Sequence, residues 1–217
     1  MFVHCPPKIL EELETSYENN KRYYHIPNGK KYPSITSILS SFDKPELLKW
    51  KKRIGEKEAD KITKESTNKG TKVHSLLEQY LKNEKIIKDS IDVMDNFFKL
   101  KPYINNINNI HYLEAPLYSN YLKVAGRTDC IGEYNGKLSI IDFKTSRKLK
   151  KEDWIIDYFL QCTFYCIAYY ELTGIKINQM VILIAVEHEY PQIFIKSIKN
   201  YIIPLKTKIK TYYNTLC

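Results

Sequence analysis

Two β-rich runs joined by Asn135-Gly136 constrain the fold of this chain more than any other feature. The first reads Val124-Ala-Gly126-Arg127-Thr-Asp129-Cys-Ile-Gly-Glu-Tyr134, the second Lys137-Leu-Ser-Ile140-Ile141-Asp142-Phe143-Lys144-Thr145-Ser146. Asn-Gly tolerates the positive φ that both central residues of a tight hairpin turn require. A two-residue loop fixes the register. Tyr134 pairs with Lys137, and counting back sets Asp129 opposite Asp142 and Arg127 opposite Lys144. Side chains alternate between faces, so Asp129, Asp142 and Lys144 share one.

Directly opposed carboxylates repel. These two lie beside Ile131 and Ile140, and the apolar run over residues 138–143 predicts a strand buried on both faces. The pair therefore needs a cation, and either Lys144 or a divalent metal ion can supply it. A solvated surface hairpin is the plain alternative for so short a pattern.

The periodicity around the hairpin gives an α/β chain. A short acidic helix is predicted over residues 9–17, followed by a small hairpin turning at Asn28-Gly29. Ser34 or Thr36 can open a short helix. Residues 45–66 are charged and helical in period, and Gly70 is expected to break that run. Residues 71–82 then place Val73, Leu76, Leu77, Tyr80 and Leu81 on one helical face. A further helix covers 91–100 with Val93, Phe97, Phe98 and Leu100 inward. Strands follow at 111–118, 122–134 and 137–145, then a long helix at 153–172 ending at Gly174. Strands at 179–187 and 192–198 and a helical tail at 201–214 complete a mixed central β-sheet flanked by helices on both faces. The expected division is an N-terminal hairpin and helical extension, 1–68, packed on a core with a C-terminal helix, 69–217.

Gly126-x-x-Asp129, Asp142-x-Lys144 and Gln161-x-x-x-Tyr165, in that order, resemble the RecB-type branch of the PD-(D/E)XK nucleases. Gly70-Thr-Lys-Val-His74-Ser-Leu-Leu-Glu78 is similar to the helix on which that branch carries a metal-binding histidine. The stretch from Tyr23-Tyr24 through Asn28-Gly29 and Tyr32-Pro33-Ser34 to Leu39 is similar to the opening segment of the mitochondrial genome maintenance exonucleases and their phage relatives. The likeness runs over residues 23–189. It implies a restriction-endonuclease-like core and a metal-dependent DNA exonuclease preferring single strands with free ends, in replication, recombination, repair or phage DNA metabolism. Asp129, Asp142 and Lys144 are then the catalytic set. His74, Asp129, Asp142 and the backbone carbonyl of Phe143 would hold Mg²⁺ or Mn²⁺, one ion or two, with Glu114 a candidate outer ligand for the second. Glu78, one helical turn after His74, is placed to accept from its other ring nitrogen. Gln161, Tyr165, Arg127, Thr145 and Ser146 are candidate substrate contacts. Some relatives hold an iron–sulfur cluster on four cysteines. Cys5, Cys130, Cys162, Cys166 and Cys217 form no C-x-x-C pair, so no cluster is expected.

The formal net charge of +9 suits a polyanionic partner. Its placement adds to this. Lys49, Lys51, Lys52 and Arg53 precede the His74 segment. Arg147, Lys148, Lys150 and Lys151 follow the acidic strand. Lys196, Lys199, Lys206, Lys208 and Lys210 line the C-terminal part. Such blocks can neutralise backbone phosphates. No apolar run is long enough to span a bilayer. The opening residues lack a basic leader before an apolar block, and Glu11, Glu12 and Glu14 follow. The expectation is an intracellular protein, cytoplasmic in a host cell if phage-encoded, without signal or transit peptide. Replication or recombination proteins are possible partners. An endonuclease or flap nuclease of the same fold, a catalytically silent DNA-binding protein and a protein adaptor stay open as alternatives.

Overall fold

The computed structural model describes residues 1–42 and 45–215, so Cys217 lies outside the described residues. A small antiparallel sheet comes first, in the order β1 (Thr15–Glu18), β2 (Lys21–His25), β3 (Lys31–Pro33). Asn19 and Asn20, at φ 49° and 61°, turn the chain between β1 and β2. The expected Asn28-Gly29 turn joins β2 to β3, with the Gly29 N–H donating to the Ile26 carbonyl at 2.9 Å. The acidic helix predicted at 9–17 does not form: residues 9–14 are irregular and β1 follows. Leu13 is the one fully buried side chain of that stretch. A short helix with so little to pack against does not repay its nucleation, whereas pairing with β2 satisfies the β1 backbone.

Ser34 caps α1 (Ile35–Ser40), its hydroxyl accepting from the Ser37 N–H. Two further helices follow, α2 (Pro45–Ile54) and α3 (Glu56–Leu81). The break in the charged helical stretch falls at Gly55, φ 84°, and not at Gly70. The helix continues through Gly70 at a cost of about 1 kcal/mol relative to alanine, and there its backbone passes close to Thr145. As α3 also runs through residue 68, extension and core share one helix. In α4 (Ile91–Ile104) the inward stripe is Val93, Phe97, Leu100 and Ile104, whereas Phe98, expected inward, is 55% exposed. One residue from Phe97 is about 100° around the helix, outside that stripe.

The main sheet has the order β4 (Ile107–Ser119), β5 (Val124–Tyr134), β6 (Lys137–Ser146), β7 (Gln179–Val186), β8 (Gln192–Ser197). Every pairing is antiparallel except β6 with β7. Those two are joined by a 3-10 turn (Glu152–Ile155) and α5 (Ile156–Thr173), the long crossover that parallel neighbours require. Gly174, φ 74°, ends α5, and α6 (Ile202–Asn214) closes the described chain. Strand parity divides the core in two. Ile131, Ile140, Ile182 and Ile184 pack with α1, α5 and α6, while Cys130, Ile141, Phe143, Val181 and Leu183 pack with α3 and α4. The result is the expected mixed sheet flanked by helices.

One departure from the expected register shapes the molecule. The β5–β6 ladder runs from Tyr134–Lys137 to Cys130–Ile141, as the turn dictates, and then stops before Asp129–Asp142. Beyond that point β5 stays paired with β4 as far as Val124–Ser119, and β6 stays with β7 as far as Ser146–Val186. The sheet therefore forks. Two opposed carboxylates repel each other out of ladder geometry, and the freed Phe143 N–H turns to the Asp129 side chain instead.

Candidate active site

The fork is where the chemistry-bearing residues meet. Asp129 Oδ2 accepts the Phe143 N–H at 2.7 Å. The N–H and C=O of a strand residue project from the same edge, so the Phe143 carbonyl also faces the gap. His74 comes from α3, on the layer opposite α5. Its Nδ1 lies 3.5 Å from Asp129 Oδ2, and its ring meets Phe143 edge-on at 6.2 Å. An unbroken sheet would separate the two layers; the fork lets them touch.

Glu114 enters from β4. Leu113–Cys130 and Ala115–Thr128 pair on either side of it, so it stands opposite Asp129. Its φ is +50°, unusual for a side-chain-bearing residue inside a strand and a sign of local backbone strain. One ligand atom each from His74, Glu114 and Asp129 lies within 4.8 Å of the others. The Glu114 carbonyl is held by Arg127 Nη1, and the other end of that guanidinium pairs with Glu12.

Asp142 is fully buried. The Lys144 ammonium lies against Oδ2 as its charge partner and leaves Oδ1 without a donor. It also sits 5.1 Å from the Tyr158 ring centroid. Burial pushes the Asp142 carboxyl up to about 6, with Asp129 repulsion adding to it and Lys144 opposing. Burial, followed by Asp129 and Glu78, raises Glu114 to about 8. Burial alone would lower the Lys144 ammonium, but Asp142 and Asp129 outweigh it and hold the group above its ordinary value. Asp142 and Asp129 act on one ammonium and Glu114 adds a third carboxylate beside Asp129, leaving excess negative charge in a partly buried place. The unpartnered Asp142 Oδ1 and the His74/Glu114/Asp129 donor set fit a hard divalent cation.

This arrangement makes stability depend on pH. Glu114 and Asp142 are both raised above their ordinary values of 4.5 and 3.8, so the folded chain keeps protons that the unfolded chain has released. Without divalent ions the melting temperature should fall as pH rises from about 5 to 8. Glu114→Gln should flatten the upper part of that fall. A flat or rising profile for the unsubstituted chain would remove the basis for the crowding.

The remaining sequence candidates are placed as follows. Tyr165 is buried, and its hydroxyl donates to the Arg127 carbonyl at 2.7 Å while accepting from Gln161 Nε2 at 3.1 Å. It braces β5 from beneath, and Gln161 is the more exposed of the two. Glu78 pairs with Lys82 at 2.6 Å rather than with His74. Thr145 lies beside Gly70, and Ser146 Oγ closes a turn by donating to the Lys148 carbonyl at 2.6 Å. Several of the basic residues are ion-paired: Arg147 with Glu65, Lys196 with Glu152 and Lys208 with Asp157. Sequence reasoning placed Glu114 only at the periphery and missed Glu12. A carboxylate inside the apolar run Leu113-Glu114-Ala115-Pro116-Leu117 was the available signal for the first.

Gly126 shows how tightly the brace is built. A Cβ there would come 2.9 Å from Tyr165 Cε1 and 3.2 Å from Ile35 Cγ2. Both neighbours are buried, so neither can yield freely. Gly126→Ala should destabilise the chain by about 1–3 kcal/mol in urea unfolding. It should also slow any reaction at the fork, because Tyr165 must move away from Arg127. Unchanged stability would show that the ring has room to shift.

No helix among the described residues is long and apolar enough to cross a membrane. Residues 105–190, which hold Glu114, Asp129, Asp142, Lys144, Gln161 and Tyr165, match the family model for the PD-(D/E)XK nuclease superfamily. The chain is similar to mitochondrial genome maintenance exonuclease 1 of Mus musculus, 30% identical over 160 residues covering 68% of this chain and 47% of that protein. The Homo sapiens protein of the same name is 28% identical over 146 residues, 61% of this chain and 40% of its own length. That of Xenopus tropicalis is 29% identical over 146 residues, 58% and 39%. The matched region thus spans less than half the length of each relative.

Proposed function

We propose, from the premise that this chain belongs to the PD-(D/E)XK nuclease superfamily, that it is a divalent-metal-dependent deoxyribonuclease removing nucleotides from the free ends of single-stranded DNA. The observation that carries this reading is the meeting of Asp129, Asp142, Lys144, His74 and Glu114 in the forked sheet. His74, Asp129, Asp142 and the Phe143 carbonyl would hold the first Mg²⁺ or Mn²⁺. Glu114 is close enough to His74 and Asp129 to join them or to hold a second ion. When bound, the ion supplies Lewis-acid polarisation of a water and of the phosphate.

The chain's own residues do the rest. Phe143 N–H and His74 fix the Asp129 carboxylate, so it presents to the gap without rearranging. The Lys144 ammonium, kept charged by its acidic neighbours, would orient the attacking water and offset charge as it builds on phosphorus. Tyr165 and Gln161 hold the β5 backbone at Arg127. The basic residues Arg147 to Lys151 would take the strand's backbone phosphates.

Incubating a linear single strand, a circular single strand and a plasmid with Mg²⁺, Mn²⁺ or EDTA tests the reading. Loss of the linear strand alone, blocked by EDTA, is the expected result. Cutting of circles would make the chain an endonuclease, and retention without cutting would make it a binding protein.

A further inference from the structure

Past β6 the chain runs through Arg147, Lys148, Leu149, Lys150 and Lys151 into the 3-10 turn that carries Trp154. Trp154 is one of two tryptophans in the chain and is 61% exposed. A single exposed aromatic is ordinary surface, and what sets this one apart is the lysine on its ring and its place one turn before Tyr158. Lys151 Nζ stands 5.4 Å from the Trp154 ring centroid. One helical turn further on, the Tyr158 ring holds the Lys144 ammonium at 5.1 Å. Another turn on come Gln161 and then Tyr165, bonded to each other and to β5. The 3-10 turn and the start of α5 therefore carry a series of aromatic and polar side chains leading from solvent to the lysine of the fork, with Trp154 at its outer end and Lys151 against it.

We propose that Trp154 is a base-stacking subsite for an unpaired nucleotide close to the scissile phosphate, with Lys151 meeting the neighbouring backbone phosphate. The inference rests on the nuclease reading of the fork and gives it a physical source of single-strand preference. Unpaired bases expose their faces to an aromatic ring, and stacking on it is tolerant of sequence. Bases in a duplex are already stacked on each other. An alternating array of lysine and aromatic side chains is the chemistry such a strand recognises, since it meets backbone charge and base face in turn.

The test uses the Trp50→Phe, Lys144→Ala chain with Mn²⁺, in which Trp154 is the sole tryptophan and a bound strand is consumed about 10²- to 10³-fold more slowly. A short single-stranded oligonucleotide should quench Trp154 fluorescence, and an abasic strand of the same length should not. Trp154→Ala should weaken single-strand binding by about 5- to 150-fold and bring it close to duplex binding, and Trp154→Phe should lose less. The abasic strand should bind Trp154→Ala and the unsubstituted residue alike. Equal quenching by the abasic strand, or undiminished single-strand preference in Trp154→Ala, would overturn the stacking role and assign the exposed ring to another partner, such as a protein. A folded chain with Trp154 intact that neither binds nor cuts DNA would instead bring down the nuclease reading itself.

Discussion

Lys144→Ala should lower strand cleavage by about 10²- to 10³-fold while leaving DNA retention nearly unchanged. The ammonium is too deep to be a general anchor for the strand. It sits against Asp142, over the Tyr158 ring, with a side chain only 20% exposed. Its charge can act where a phosphate reacts, but not along the backbone outside, where Arg147 to Lys151 lie. The substitution should also tell on stability. Asp142 is fully buried and Lys144 is its cationic partner, so removing the amine leaves a buried carboxylate uncompensated, a loss of about 3–5 kcal/mol if it stays ionised. Protonation of Asp142 limits that loss, because burial already raises the carboxyl to about 6 and the opposing Lys144 charge is gone. Mn²⁺ should restore part of the stability by replacing one cation with another. Gel cleavage, filter binding and thermal melts with and without Mn²⁺ would check all three effects. Parallel loss of cleavage and retention would count against a role confined to the reaction.

Asp129→Asn should abolish the response to divalent ions. In the unsubstituted chain, Mn²⁺ at about 100 times its dissociation constant should stabilise by about 2.7 kcal/mol, raising the melting temperature by on the order of 5–10 °C. Asparagine keeps an oxygen for the Phe143 N–H, so the fork should survive, but the negative charge between His74 and Glu114 is gone. Calorimetry should then detect no Mn²⁺ uptake at concentrations that saturate the original. In EDTA the variant should melt higher than the unsubstituted chain at pH 8, because Asp129 raises both Glu114 and Asp142 by repulsion. A thermal shift with Mn²⁺ as large as the original would place the ion elsewhere. Lower stability in EDTA would show that the Asp129 charge supports the fork rather than straining it.

The acidic pair and its lysine were legible in the sequence because their placement is local. Asn135-Gly136 sets the register and strand alternation carries it back to Cys130–Ile141. Ser34 and Gly174 marked helix ends for the same reason, through side-chain capping and a left-handed backbone. Glu114 was harder to read. Its position opposite Asp129 depends on the β4–β5 connection, which has no diagnostic turn pair to set the register. Glu12 reaches Arg127 from an irregular segment whose path no periodicity describes.

Chain order and turn chemistry alone thus determined the hairpin, the crossover that makes β6 and β7 parallel, and the crowding of Asp129, Asp142 and Lys144. Only the tertiary structure decided that the crowding opens the sheet, that α3 runs unbroken past Gly70 to carry His74 across, and that Glu114 closes the group from β4. Turns and strand parity act between neighbours in the chain. The fork is a compromise between like charges that cannot share a ladder and two outer strand pairs that hold theirs, a balance set by the whole packed sheet.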